Sequence, residues 1–153
     1  MKKITIIRVV FIISIILWAI SVFNLSNQVG DDSSGLSRKI TSIFFKSEEM
    51  ISKAEPYIRK LAHLSEYTLG GMLFMALFST YNWKEKNKIL ISVLIGIWYA
   101  ITDEVHQLFI SNRSGSIIDV WIDSIGIALG VFIILFIIKI LKKILNRKNT
   151  IYS

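Results

Sequence analysis

Apolar residues gather into long stretches that polar residues interrupt mainly at their ends. Ile4 to Phe23 is broken at Arg8 and Ser14, Tyr57 to Tyr81 is polar at its beginning, and Ile89 to Ile110 in its last third. Ile117 to Leu141 is polar at Asp119, Asp123 and Ser124. About 20 helical residues cover the ~30 Å hydrocarbon core of a bilayer, so the pattern predicts an all-α integral membrane four-helix bundle. One domain over 1–153 accommodates it. Between the first two spans, Leu36, Ile40, Ile43 and Phe44 recur at the spacing of one helix face. That spacing predicts a short extracytoplasmic helix, either lying in the membrane interface or covering the bundle. Pro56 suits the first turn of the second span, where its missing N–H costs nothing, and Ser111 to Ser116 reads as a tight turn. Ala19-Ile20-Ser21 loosely matches a cleavage site, but the first apolar run is long for a signal peptide.

Composition agrees with this pattern. Hydrophobic residues make up 53% of the 153, against about 45–50% in a soluble domain. The net charge of +7 would suit nucleic acid if it formed a patch, yet many of the basic residues flank the apolar stretches, so no nucleic-acid partner is expected. Lys2, Lys3 and Arg8 precede the first span, Lys84, Lys86 and Lys88 join the second to the third, and Lys142, Lys143, Arg147 and Lys148 follow the fourth. The turn before the fourth span has Arg113 alone. An excess of Lys and Arg marks the cytoplasmic side, so both termini are expected in the cytoplasm. The segment 24–60 opposes this weakly, with six basic residues interleaved with five acids. There are no cysteines, which excludes disulfides, thiol nucleophiles and cysteine-ligated metals.

That orientation gathers the polar ends of spans two, three and four on the outer side, as one outward-facing pocket. Arg59, His63, Glu66 and Tyr67 share a face at i, i+4, i+7 and i+8, with Lys60 beside them. Asp103, His106 and Gln107 share another, with Glu104 one step around, and Asp119 and Asp123 stand one turn apart. Gly126 and Gly130 follow in a small-xxx-small pattern that allows close helix approach. An ionised group at mid-membrane costs roughly 2.5–3.5 kcal/mol on insertion scales, so such a concentration asks for a reason.

Three chemistries compete. Imidazole and carboxylate can hold a divalent metal, although the i, i+3 spacing of His63 and Glu66 is a weak signal and no metal set or cofactor is assigned. His63 or His106 can act as a base oriented by Glu66 or Asp103, with Arg59, Lys60 and Arg113 holding an anionic group such as a lipid phosphate. Alternatively the charges pair only to neutralise one another and fix helix register. Trp18, Trp83, Trp98 and Trp121 read as interface anchors or packing residues. Ser26, Gln28, Ser33 and Ser34 could line the pocket mouth, but a solvated loop is the simpler expectation.

The sequence resembles the VanZ-like family of bacterial membrane proteins. The resemblance is carried by Arg59-Lys60-Leu61-Ala62-His63-Leu64-Ser65-Glu66-Tyr67, by Thr102-Asp103-Glu104-Val105-His106-Gln107-Leu108-Phe109 with Arg113 following, and by Asp119-Val120-Trp121-Ile122-Asp123-Ser124-Ile125-Gly126. Ser26-Asn27-Gln28 is similar to the motif behind that family's first helix. Its namesake is associated with resistance to the glycopeptide teicoplanin without altered peptidoglycan precursors. The outer-leaflet position of the pocket, flanked by Arg59, Lys60 and Arg113, points to membrane lipids or lipid-linked cell-wall molecules of a bacterial envelope as partners, and the resemblance adds glycopeptide antibiotics.

Overall fold

The computed structural model describes residues 2–27, 30–111, 113 and 115–151, and the side chains of residues 30–34, 36 and 148–151 lie outside that description. Gln28 and the side chains of Ser33, Ser34 and Leu36 are therefore not placed. The described residues form helices α1 (Lys2–Ser26), α2 (Gly30–Phe44), α3 (Glu48–Ser79), α4 (Glu85–Gln107) and α5 (Ile117–Ile151), with no strand among them. All but α2 are long and apolar enough to cross a membrane. This is a helical membrane bundle.

The helix ends differ from the sequence reading in ways that have local causes. Pro56 does not open the second span: α3 begins at Glu48, after Ser47, and Pro56 lies inside it. Glu48 and Glu49 supply acids for the positive N-terminal end, and Glu49 pairs with Lys53 at 2.6 Å, so the helix starts upstream and accommodates the missing N–H. α4 stops at Gln107 rather than Ile110, and the turn begins at Leu108. There the Glu104 carboxylate accepts the Ser116 N–H at 2.8 Å and draws the chain back across the end of α4.

α3 and α5 run parallel and form the most extensive contact, with α4 against both and α1 and α2 against α3. Glycines set that closeness. A Cβ on Gly130 would strike the Thr68 carbonyl, one on Gly71 the Ile127 carbonyl, and one on Gly126 would lie 2.7 Å from the Leu64 oxygen. The small-residue pattern thus lets α5 touch the α3 backbone. Trp18, Val22, Tyr67, Phe74, Ala100 and Ile127 pack at the centre, while Trp98 and Trp121 are exposed on the outside of the bundle. Trp18 is accordingly a packing residue.

Two observations fix which ends lie together. Arg8 donates to the Thr80 carbonyl at 2.8 Å and its hydroxyl at 3.1 Å, and lies 3.9 Å over the Tyr81 ring. Lys142 of α5 shares a crevice with Asn82, Trp83 and Lys88. The start of α1, the α3–α4 loop and the later part of α5 therefore share one end, and the polar helix ends share the other.

α2 packs through polar residues. Ser37 and Thr41 are buried, whereas Ile43 and Phe44 are 74% and 70% exposed. Of the apolar stripe read from the sequence, Ile43 and Phe44 thus face outward, whereas Ile40 turns toward the bundle.

Candidate functional site

At the polar end, α1, α2, α3, α4 and the α4–α5 turn enclose a cavity of about 120 Å³. Its polar lining includes Arg59, His63, Glu66, Asp103 and Arg113, and its apolar wall includes Val22, Leu25, Ile40 and Ile58. A single water needs only ~10–15 Å³ by this kind of measure, so several waters or one compact polar group fit. Ser26 and Ser37 also line it. Ser26 ends α1 only 3% exposed, and its hydroxyl has no hydrogen-bond partner, so the solvated-loop expectation does not hold there.

Arg113 donates to the Leu25 carbonyl at 3.1 Å, which ties the turn to the end of α1. Burial pushes its guanidinium below the ordinary value. Asp103 and Glu104 oppose that fall, and the like charge of Arg59 adds to it. Arg59 and Arg113 thus both border the cavity, alongside the carboxylates of Glu66 and Asp103.

Beside the cavity, three helices converge on His63. Asp123 is wholly buried, with one carboxylate oxygen 3.6 Å from His63 Nδ1, beyond hydrogen-bonding length, and neither of its oxygens has a hydrogen-bond partner. Glu104 completes a group in which one ligand atom from each residue lies within 4.8 Å of the others. The sequence suggested His63 with Glu66 along one helix. The structure instead joins His63 to residues of α4 and α5.

The remaining predicted residues are distributed by helix face. Gln107 is buried and its amide donates to Asp103 at 3.2 Å and Glu104 at 3.3 Å, bracing both carboxylates. Tyr67 is fully buried beside Trp18 in an edge-on contact of 5.9 Å, and its hydroxyl lies near Asp103 without a hydrogen-bond partner. Asp119, one turn before Asp123, is within electrostatic reach of His63 and Glu104. Lys60 is not in the cavity lining: it borders a separate apolar groove with Tyr57, Leu64 and Ile125, because one residue along a helix turns it away from Arg59. His106 is absent from that lining too, and its ring stacks on Phe23 of α1 at 4.8 Å.

Sequence reasoning missed the part of α1. Trp18 donates its indole N–H to the Glu66 carbonyl at 2.9 Å, and Tyr99 donates to the Ala19 carbonyl at 2.7 Å. In an evenly apolar helix neither bond leaves a periodic signal.

With this geometry in view, the family model described as VanZ/LLP1 matches residues 11–139. The chain belongs to the VanZ/LLP1 family. No curated protein and no solved structure matches it. The match spans all four membrane-crossing helices in whole or part, and every residue lining the cavity.

Proposed function

We propose that this VanZ-like membrane protein acts at the outer leaflet of the bacterial cytoplasmic membrane, with both termini in the cytoplasm. Its polar cavity takes the anionic head of a lipid or lipid-linked envelope molecule. The observation that carries this reading is the pairing of Arg59 and Arg113 on a cavity whose other wall is apolar. A phosphate could accept charged hydrogen bonds from both guanidinium groups while its chains follow the apolar side into lipid. The VanZ resemblance extends the reading to lowered susceptibility to glycopeptides such as teicoplanin, through the envelope molecule held.

A second reading is favoured by Glu104, which accepts the Ser116 N–H across the α4–α5 turn while Gln107 braces it from within α4: part of the charge network serves packing alone. One experiment separates the two. Wild type, Arg59→Gln and Arg113→Gln are reconstituted in nanodiscs containing phosphatidylcholine with a minor fraction of phosphatidylglycerol, and the retained lipid is quantified after stringent washing. The wild type is expected to retain the anionic lipid selectively and both variants to lose it at unchanged folded yield. Equal retention by all three would sink the binding reading. In cells, Glu66→Gln and Asp103→Asn are expected to lose any glycopeptide protection at unchanged membrane abundance, whereas a packing role would lower abundance instead.

A further inference from the structure

We propose that His63, Glu104 and Asp123 form a divalent transition-metal site of the zinc class, with Nδ1 of the imidazole and one oxygen from each carboxylate as ligands. It goes beyond the anion-binding reading and stands without it.

Ligand type and spacing agree with that class. One imidazole and two carboxylates form a donor set suited to zinc or manganese rather than to copper(I) or an iron–sulfur cluster. Bonds of about 2.0–2.2 Å in a tetrahedral arrangement put neighbouring donors roughly 3.4 Å apart. His63 Nδ1 and Asp123 Oδ1 are 3.6 Å apart, and no pair within the trio exceeds 4.8 Å. Small rotations of the side chains would close the set.

The independent observation is an unanswered polar demand. Asp123 is 0% exposed, and neither of its oxygens nor His63 Nδ1 has a hydrogen-bond partner; the imidazole is an ion-pairing neighbour of one oxygen only, at 3.6 Å, and the other oxygen faces no partner at all among the described residues. Buried polar atoms are nearly always satisfied, and a cation answers all three at once. Around the trio the outer interactions of a metal site are also in place. Gln107 and the Ser116 N–H hold the Glu104 carboxylate, which limits its rotation. Three protein ligands leave a fourth position for an external oxygen, and of the three residues His63 borders the cavity.

The test is metal content and metal-dependent stability of the full chain. Protein is extracted in mild detergent without chelator and analysed by mass spectrometry for zinc, manganese, iron, cobalt and nickel. It is then stripped and titrated with Zn²⁺ while thermal unfolding is followed. The wild type is expected to carry a near-stoichiometric ion and to regain a higher unfolding temperature with micromolar Zn²⁺. Asp123→Asn and His63→Ala are expected to lose both properties, while Glu85→Gln, which changes an exposed carboxylate in the first turn of α4 at the other end of the bundle, retains them. Wild-type protein that carries no ion and does not respond to Zn²⁺ or Mn²⁺ overturns the proposal even if the variants fail to fold. Retention of metal by monodisperse His63→Ala overturns it too. A metal-free wild type that still selects anionic lipid removes the metal and leaves the anion reading intact, and the reverse result removes only the latter.

Discussion

Trp18 and Glu66 are joined through an indole N–H and a backbone carbonyl, 2.9 Å apart, at the level where α1 meets the polar face of α3. The same ring occupies the space that a side chain at Gly70 would need. α1 is thereby held to α3 by both shape and a directional bond, and the wall of the cavity depends on that hold. Trp18→Phe is expected to lose about 1 kcal/mol for the hydrogen bond, and Trp18→Ala about 3–5 kcal/mol with the vacated core space. Thermal unfolding in one detergent would show the order wild type, Phe, Ala. A Phe variant as stable as wild type would remove the directional part.

Gly130 meets the Thr68 carbonyl without room for a side chain. Gly130→Val is expected to cost roughly 1–3 kcal/mol or more, because backbones rather than flexible side chains must part. The check is folded yield and unfolding temperature, with Gly35→Ala, whose surroundings are open, as the comparison. Similar losses in the two variants would contradict the seam described for α3 and α5.

Glu104 reaches from α4 to the Ser116 N–H. Glu104→Gln keeps an acceptor there, whereas Glu104→Ala leaves the donor unanswered at a cost of about 1–3 kcal/mol. Proteolysis within 108–116 is therefore expected to speed up in the Ala variant and to change little in the Gln variant. Equal cleavage in both would mean that the turn holds itself.

Arg8 against Thr80 and Tyr81 predicts that the loop after α3 and the start of α1 face the same compartment. The chain has no cysteine, so single replacements report cleanly. Asn82→Cys and Lys142→Cys are expected to resist a membrane-impermeant maleimide in intact cells, and Lys46→Cys to react. The opposite labelling pattern would invert the proposed orientation, and labelling of Asn82→Cys and Lys142→Cys from different sides would contradict the fold.

The spans were legible in the sequence because lipid demands uninterrupted apolar length, and length survives without alignment or structure. The pairing of faces was less so. α1 is apolar on every side, so nothing in its pattern separated Trp18 from its neighbours. On α3 the polar residues did mark a face, and Arg59, His63 and Glu66 do line one cavity. Lys60 was included by proximity in sequence and falls to another side of the helix. His63 with Asp123 and Glu104 is a relationship between three helices, set by crossing geometry that periodicity along any one of them does not contain. α2 inverted the ordinary rule, burying Ser37 and Thr41 and exposing Ile43 and Phe44, so its apolar spacing alone did not mark the face that packs.

Gly126 lies one turn beyond Asp123, and a Cβ added there would lie 2.7 Å from the oxygen of Leu64, the residue after His63. The missing side chain there serves as a feeler gauge between the backbones of the two helices that carry the imidazole and the carboxylate. Enlarging it by a methyl group would widen the gap between two groups it never touches. Relatives could therefore retune the reach of this trio without altering any of its members, and a survey of variation limited to ionisable positions would overlook where that adjustment is made.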